Sequence, residues 1–180
     1  IMERIIFRTI FQKEISPPLF SDFDRFQKVT QCWRKEECGW ILKNISFTEQ
    51  WGEKEYEILC HCLKNTIDTG GGVFGAFYDK KLKGFCSVES RLFGSQKQYL
   101  QLSSLHVSAD MRGKGIGRHL FYLACNKARE LSGRKLYISS HSARETQAFY
   151  RAVGCLEAEE YDPSLTEAEP CDCQLEYRLK

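Results

Sequence analysis

The first 70 or so residues are predicted to hold one strand and two helices. Apolar residues over Arg4–Ile10 form a run typical of a strand, and a Ser-Pro-Pro sequence interrupts the chain soon afterwards. Apolar residues three or four positions apart predict a helix over Asp22–Glu37, with Ser21 as its cap. A second apolar stripe predicts a helix over Glu49–Asp68, which Thr48 would cap and three consecutive glycines would end.

The part of the chain after residue 72 is richer in strands. Two apolar runs around a turn predict a hairpin of Val73–Tyr78 and Lys83–Ser90, and a further strand begins near Leu100. The pattern then changes to helical spacing over Gly115–Leu131 and back to a strand over Lys135–Ser139.

The C-terminal part is predicted to add one helix and two strands. Ser142 and Glu145 have the spacing of a capping box for a helix over Ala143–Val153. Strands are predicted over Cys155–Tyr161 and Gln174–Leu179, with an acidic loop between them. The predicted order of elements is therefore β, α, α, β, β, β, α, β, α, β, β.

The composition is that of one folded domain over residues 1–180. Hydrophobic residues make up 42% of the chain, enough for a sizeable core, and no apolar run approaches the roughly 20 residues of a membrane span. A net charge of +2 is too small to indicate nucleic-acid binding. The N-terminal Ile1-Met2-Glu3-Arg4 leads directly into the first strand, so neither a signal peptide nor a membrane partner is expected.

The nine cysteines bear on redox state and on metal binding. The pairs Cys60-x-Cys62 and Cys171-x-Cys173 lack the two-residue gap of zinc motifs, so no metal site is predicted. A metal cluster of His61 with the first of these pairs is the weaker alternative. The odd number of cysteines predicts free thiols in a reducing compartment, and hence a cytoplasmic location.

Leu100–Arg118 is the segment whose residues suggest chemistry. Its first half is strand-like, and its second half sets three glycines among Arg112, Lys114 and Arg118 before a helix begins. Glycines let the backbone approach a ligand closely, and a helix N-terminus offers free N–H groups and a partial positive charge. The segment therefore predicts a phosphate-binding loop. It has neither the Walker A sequence nor the spacing of the dinucleotide fingerprint.

The loop resembles the acetyl-CoA loop of the GCN5-related N-acetyltransferases (GNAT), in particular of bacterial-type members. Arg112-x-x-Gly115-x-Gly117 fits the family signature, and Leu105-His106-Val107 precedes it as the family's strand does. The predicted order of elements is also that of the family, and the resemblance is sharpest over Tyr99–Cys155. It implies an α+β fold of three layers, in which helices flank a twisted, mixed but mostly antiparallel sheet.

The resemblance implies an N-acetyltransferase that uses acetyl-CoA as co-substrate and needs no metal. The pyrophosphate would lie on Arg112, Gly113, Lys114, Gly115, Ile116, Gly117 and Arg118. The pantetheine arm would pair with the strand backbone at Leu105, His106 and Val107.

The general base is left open by the sequence. Strand alternation places Ser103 and Gln101 on the substrate side together with Val107, where some family members carry Glu or His, and Gln101 cannot take up a proton at neutral pH. His106 lies on the opposite face, where a packed histidine is the commoner interpretation. Glu89, at the end of the preceding strand, is the candidate base, with a solvated carboxylate as the alternative.

Tyr150 is the candidate for the group that meets the leaving thiolate. The F-Y-x-x-x-G-C sequence around it matches a family motif, and a partly buried structural tyrosine is the alternative. The Asn that the family often carries seven residues earlier is Ala143 here. Its hydrogen bond to the cofactor is therefore missing or comes from Ser140 or Ser142.

The acceptor is predicted only as a class, a primary amine of a small molecule or a peptide, attacked directly on the thioester. The acidic residues between Glu157 and Asp172 suit a cationic amine, although a solvated loop is the commoner interpretation. A CoA-binding sensor or interaction module without catalysis is the alternative to an enzyme. The oligomeric state is open, with a homodimer as one alternative.

Overall fold

A seven-stranded sheet and a separate two-stranded hairpin organise the chain. The computed structural model describes residues 4–180. The prediction from the N-terminal sequence Ile1-Met2-Glu3-Arg4 therefore lies mostly outside the described residues. The strands are β1 (Ile6–Thr9), β2 (Gln27–Glu36), β3 (Gly39–Glu49), β4 (Gly72–Tyr78), β5 (Lys81–Val88), β6 (Tyr99–Val107), β7 (Lys135–Ser140), β8 (Leu156–Glu157) and β9 (Cys173–Arg178). The helices are α1 (Glu53–Asp68), α2 (Ile116–Glu130), α3 (Arg144–Val153) and α4 (Pro163–Ala168).

The order of strands in the main sheet is β1-β4-β5-β6-β7-β9-β8. Neighbouring strands are antiparallel except β6 and β7, which are parallel. The predicted α+β fold with a mixed, mostly antiparallel sheet is therefore confirmed. β6 and β7 pair only over residues 99–101 and 135–137, and beyond these residues the two strands separate. A V-shaped gap opens in the middle of the sheet as a result.

Helices cover both faces of the sheet. On one face α2 packs its apolar side on β4, β5 and β6. On the other face α1 and a 3-10 turn at Pro17–Phe20 enclose an aromatic cluster with Phe85 at its centre. Gly84 lets α2 approach β5, because a Cβ there would lie 2.8 Å from Cγ2 of Ile116. Since Ile116 is the first residue of α2, this contact fixes the glycine loop relative to the sheet.

The helix predicted over Asp22–Glu37 is wrong, because this region forms β2 and turns at Gly39 into β3. A register shift between Val29 and Gln31 disturbs the alternation of β2. It leaves the buried Val29 and Cys32 three positions apart. That spacing is typical of a helix in the sequence, although the backbone is extended.

The predicted helix caps are also wrong. Ser21 precedes no helix, and Thr48 lies within β3 because α1 begins only after Gly52. The hydroxyl of Ser142 does not cap α3 and instead accepts a hydrogen bond from Nη1 of Arg34 at 2.7 Å. Local sequence predicts these caps, but the β2–β3 hairpin, a tertiary feature, determines where Thr48 and Ser142 lie.

The last predicted strand but one is shorter than expected, and the acidic loop is partly helical. Of Cys155–Tyr161 only Leu156–Glu157 pairs with β9. The loop contains α4, whose first turn is capped by Asp162 through a hydrogen bond from the N–H of Leu165 at 3.1 Å.

In the described residues 4–180 no group of three or more His, Cys, Asp or Glu side chains could hold a metal ion. The alternative cluster on α1 has Cys60 buried and Cys62 exposed. Across the same described span, no helix has both the length and the hydrophobicity to cross a membrane.

The cysteines give a testable pattern of reactivity, since six are buried and only Cys38, Cys62 and Cys171 are exposed. Burial raises the pKa of Cys125 to about 11 and that of Cys155 to about 12, which suppresses the reactive thiolate. We expect iodoacetamide to label three cysteines of the native protein and all nine after denaturation, as read by intact mass. Native labelling of a buried cysteine would contradict the packing described here.

Candidate active site

Beyond residue 101, no strand of the described residues pairs with β6 on the side that faces the gap. The N–H of Ser108 donates to the carbonyl of Lys83 at 2.8 Å, which fixes the alternation of the β5–β6 ladder. Because successive residues point to opposite sides of a strand, His106 pairs with β5, whereas Leu105 and Val107 direct their backbone groups into the gap. An extended amide chain could pair with Leu105 and with the N–H of Val107 as an added strand would. The carbonyl of Val107 already accepts a hydrogen bond from Nε of Arg112 at 3.1 Å. The backbone of His106, predicted to pair with pantetheine, is therefore directed away from the gap.

The glycine loop lies open at the end of this strand. Gly113 and Gly115 have left-handed backbones with φ of +79° and +82°, and a Cβ on either would meet no atom within 4 Å. Ile116 begins α2, so the N–H groups of the first turn have no carbonyl partner inside the helix. Free space, free donors and the positive end of the helix together suit a pyrophosphate group.

The cationic side chains of the loop differ in their surroundings. Arg112 donates from Nη1 to the carbonyl of Phe26 at 2.7 Å and from Nε to that of Val107 at 3.1 Å. It therefore braces the loop against the segment that leads into β2. Arg118 lines the cleft that joins this loop to the gap, whereas Lys114 does not.

A cleft of about 720 Å³ joins the loop to the gap, a volume within the usual range for sites of small molecules and cofactors. β6 and the glycine loop form one wall. The other wall consists of Ile138 on β7 and of Phe149 and Tyr150 on α3. The sequence-predicted loop, strand and tyrosine thus lie around one cleft.

Tyr150 is 6% exposed, and its side chain lines the cleft. Its hydroxyl makes no hydrogen bond within residues 4–180, yet it is not sealed from the cleft. Burial, with a smaller contribution from the sulfur atoms of Cys155 and Cys86, raises the pKa of Tyr150 above its ordinary value. The phenol therefore stays protonated at neutral pH and is free to donate a hydrogen bond into the cleft.

Glu89 lies beyond the end of β5 and does not itself line the cleft. Its Oε2 lies 2.8 Å from Oγ1 of Thr66 and accepts a hydrogen bond from Oγ of Ser103, which does line the cleft. The alternation expected for this strand is wrong at one point. A register shift on the β5–β6 ladder brings the side chain of Ser103, like that of Ser104, to Oγ of Ser87. Ser103 therefore lies on the face of His106 rather than on that of Val107.

His106 is held between Trp51 and Phe85, with ring centroids at 4.8 and 5.4 Å. Burial, followed by the charges of Arg25 and Arg112, lowers the pKa of His106 to about 3. The imidazole is therefore neutral at physiological pH and too weakly basic to take a proton from an amine.

The two serines expected near the cofactor are both engaged elsewhere. Ser140 accepts from Nε2 of Gln147 at 2.7 Å and donates to the carbonyl of Cys173 at 3.2 Å. Ser142 is bound to the hairpin as described above, and neither serine lines the cleft.

The sequence interpretation missed a cluster of three polar side chains beside the cleft. Oε2 of Glu49 lies 3.3 Å from Nη2 of Arg25, and its Oε1 lies 3.3 Å from Nε2 of His141. Arg25 and His141 both line the cleft. Arg25 also lies over the ring of Trp51, 4.9 Å from its centroid. These residues come together only because β2 and β3 pair, so the incorrect helix prediction concealed them.

Comparison with known proteins identifies the family. The profile described as "Acetyltransferase (GNAT) family" matches residues 23–155. The chain therefore belongs to the GNAT family, as the loop signature indicated, and it is an acetyltransferase that uses acetyl-CoA as co-substrate. A search of curated proteins gives no significant match.

Solved structures share the fold at low sequence identity. A nourseothricin acetyltransferase is 19% identical with a TM-score of 0.70, and the alignment covers 98% of this chain and 99% of that one. A protein from Bacillus anthracis str. Ames, described as a candidate streptothricin acetyltransferase and crystallised with acetyl-CoA, is 12% identical with a TM-score of 0.74 over the same shares. An aminoglycoside 6'-N-acetyltransferase with CoA is 14% identical with a TM-score of 0.55, over 72% of this chain and 82% of that one.

Proposed function

We propose that the protein transfers the acetyl group of acetyl-CoA to a primary amine of a small molecule or peptide by direct attack. The observation that carries the proposal is the single cleft that joins three features. These are an unpaired strand edge, an open glycine loop at a helix N-terminus, and a buried tyrosine with a free hydroxyl.

Each part of the cleft has a role in this reaction. The loop Gly113–Arg118 and the backbone of Leu105 and Val107 would hold acetyl-CoA, which supplies an activated thioester. The acceptor amine forms the new N–C bond as the C–S bond breaks, and it must lose a proton. Glu89 would receive that proton, and the hydroxyl of Tyr150 would donate a hydrogen bond to the departing sulfur.

Two acidic side chains that contact residues of the cleft wall favour a cationic acceptor. Oδ2 of Asp172 accepts a hydrogen bond at 3.1 Å from Ser139, a residue of the cleft wall. Glu49 lies beside His141 on the same wall. Solved structures named for antibiotic acetylation make a polycationic small molecule a reasonable first acceptor to test.

Asp172→Asn is therefore expected to raise KM for a diamine or triamine about three- to tenfold while leaving KM for acetyl-CoA unchanged. Asn keeps the acceptor for Ser139 and removes only the negative charge. Glu167→Gln removes the same charge from an exposed position of the same segment and should leave both constants unchanged. Equal effects of the two substitutions would show that only the net charge matters.

The proposed reaction is tested by incubating the protein with acetyl-CoA and a panel of amines. We expect amine-dependent release of free CoA thiol and an acetylated product of matching mass. Thiol release that no amine accelerates, together with measurable CoA binding, would favour the non-catalytic CoA-binding module.

A further inference from the structure

Three serine hydroxyls connect the cleft to Glu89 in an unbroken hydrogen-bond chain. Ser104 lines the cleft and contacts Oγ of Ser87. Oγ of Ser87 is 2.6 Å from Oγ of Ser103, and Ser103 is bound to Oε2 of Glu89. Ser87 is only 1% exposed, so water has little access to the middle of the chain.

The carboxylate fixes the direction of every hydrogen bond in this chain. An ionised carboxylate only accepts hydrogen bonds, so the single hydroxyl proton of Ser103 is donated to Glu89. Ser103 must then accept from Ser87, and Ser87 must accept from Ser104. The proton of Ser104 is therefore directed away from the cleft. Its oxygen presents lone pairs to the cleft, where an ammonium group could donate.

We infer that Ser104, Ser87 and Ser103 relay the proton of the acceptor amine to Glu89. This inference rests on the proposed acetyl transfer and adds the route by which the amine is deprotonated. The amine N–H bond breaks and its proton joins Ser104, while Ser104 passes its proton to Ser87. Ser87 passes its proton to Ser103, and Ser103 protonates Glu89. Four protons each move by one hydrogen bond, no electron leaves the system, and a neutral amine remains in the cleft.

The surroundings of Glu89 support its place at the end of the relay. Thr66 on α1 and Ser103 on β6 supply hydroxyls, and the backbone N–H of Glu89 donates to the carbonyl of Gln101 at 2.9 Å. In residues 4–180 no Lys, Arg or His forms an ion pair with Glu89, so its charge is balanced only by hydrogen bonds. Glu89 is partly exposed, which lets the proton pass on to solvent after each turnover.

The relay explains why a carboxylate outside the cleft could act on the amine. Two titratable groups near this face of β6, His106 and Arg25, are not usable bases. His106 is neutral and weakly basic, and the guanidinium of Arg25 is already bound to Gln27 and Glu49. Glu145 and His141 also line the cleft, but within residues 4–180 neither is hydrogen-bonded to the three serines, so Glu89 is the carboxylate that this serine chain reaches.

The decisive experiment is the pH dependence of kcat for Ser87→Ala, measured with an alkyl amine of ordinary pKa. We expect a 10- to 100-fold loss at pH 7 that shrinks to about threefold near pH 10, where the free amine needs no base. Glu89→Gln should show the same profile. The double variant Ser87→Ala/Glu89→Gln should lose no more than the stronger single variant, because both interrupt one path.

Ser90→Ala is the matched control. Ser90 lies next to Glu89, and its hydroxyl donates to the carbonyl of Thr69 outside the chain of serines. We expect its kcat to stay within twofold of the wild type at every pH. CoA affinity by calorimetry and the melting temperature verify that each variant is folded, and Ser104→Ala tests the same path if Ser87→Ala does not fold.

The outcomes separate the relay from the proposed reaction. Suppose that the wild type is active. If Ser87→Ala and Ser104→Ala then keep the wild-type kcat at pH 7, or lose kcat equally at all pH values, the relay alone is overturned. A wild type that binds CoA but acetylates no amine overturns the proposed reaction, and the relay with it. Losses that add in the double variant also overturn the relay.

Discussion

Gly115→Asp is expected to lower CoA affinity by at least about 100-fold while the protein remains folded. Gly115 is the residue before α2, with a left-handed backbone and open space where its side chain would be. The new carboxylate would enter that space and meet an anionic pyrophosphate. Two unit charges about 4 Å apart near a protein surface repel by about 4 kcal/mol, which allows an effect of this size after partial screening.

The fold should tolerate this change for a specific reason. Asp is among the residues that adopt the left-handed conformation most readily, and a negative charge at a helix N-terminus stabilises the helix by about 0.3–1 kcal/mol. Gly115→Asp is thus expected to lower CoA affinity without lowering the stability of the fold. Circular dichroism with thermal unfolding measures the first, and isothermal titration calorimetry measures the second.

Gly115→Asn is the matched control for Gly115→Asp. Asn has the same size and the same tolerance of a left-handed backbone, but it carries no charge. We expect a loss of CoA affinity of about tenfold or less, and a gap between the two variants that narrows as ionic strength rises. Equal CoA affinities of the Asp and Asn variants at low salt would contradict the proposal that the pyrophosphate of CoA binds at this loop.

Tyr150→Phe is expected to lower kcat about 100-fold with little change in KM for acetyl-CoA. A departing thiolate has a conjugate acid of pKa about 8.5 and a free phenol about 10, so full proton transfer is already unfavourable. Burial raises the pKa of Tyr150 further. The hydroxyl therefore acts as a hydrogen-bond donor to developing negative charge, and the shape of the pH profile should not change between pH 6 and 9.

The same substitution should leave the free energy of unfolding unchanged or slightly higher. The hydroxyl of Tyr150 has no hydrogen-bond partner within the described part of the chain, and removing an unpaired polar group from a buried site carries no penalty. A loss of activity without a loss of stability would identify a catalytic group. A kcat within twofold of the wild type would exclude Tyr150 from the reaction.

Tyr137→Phe is the control, and it is expected to lower the free energy of unfolding while leaving kcat little changed. Tyr137 is fully buried, and its hydroxyl contacts Oε1 of Gln174 and accepts from the N–H of Asp162 at 3.0 Å. Removing that hydroxyl leaves buried groups unpaired, at a cost of about 1–3 kcal/mol in the free energy of unfolding. Tyr137 does not line the cleft, so kcat should be little affected. Urea unfolding and steady-state kinetics on both variants complete the comparison.

Local sequence is sufficient to predict the loop, the strand before it and the helix after it. The glycines, the flanking cations and the change from strand to helical spacing all lie within Leu100–Arg118, so local chemistry was sufficient. The motif around Tyr150 is equally local, and it correctly placed this residue in a helix beside the cleft. Family membership followed from these segments.

The tertiary structure alone decided how the remaining residues meet. The register shift in β2 gave extended chain a helical spacing, and the pairing of β2 with β3 brought Arg25, Glu49 and His141 together beside the cleft. A second register shift, on the β5–β6 ladder, turned Ser103 and Ser104 to the same neighbour and so connected Glu89 to the cleft. A shift of one residue reverses the face of every side chain beyond it, and its position depends on contacts between strands rather than on the sequence of either strand alone.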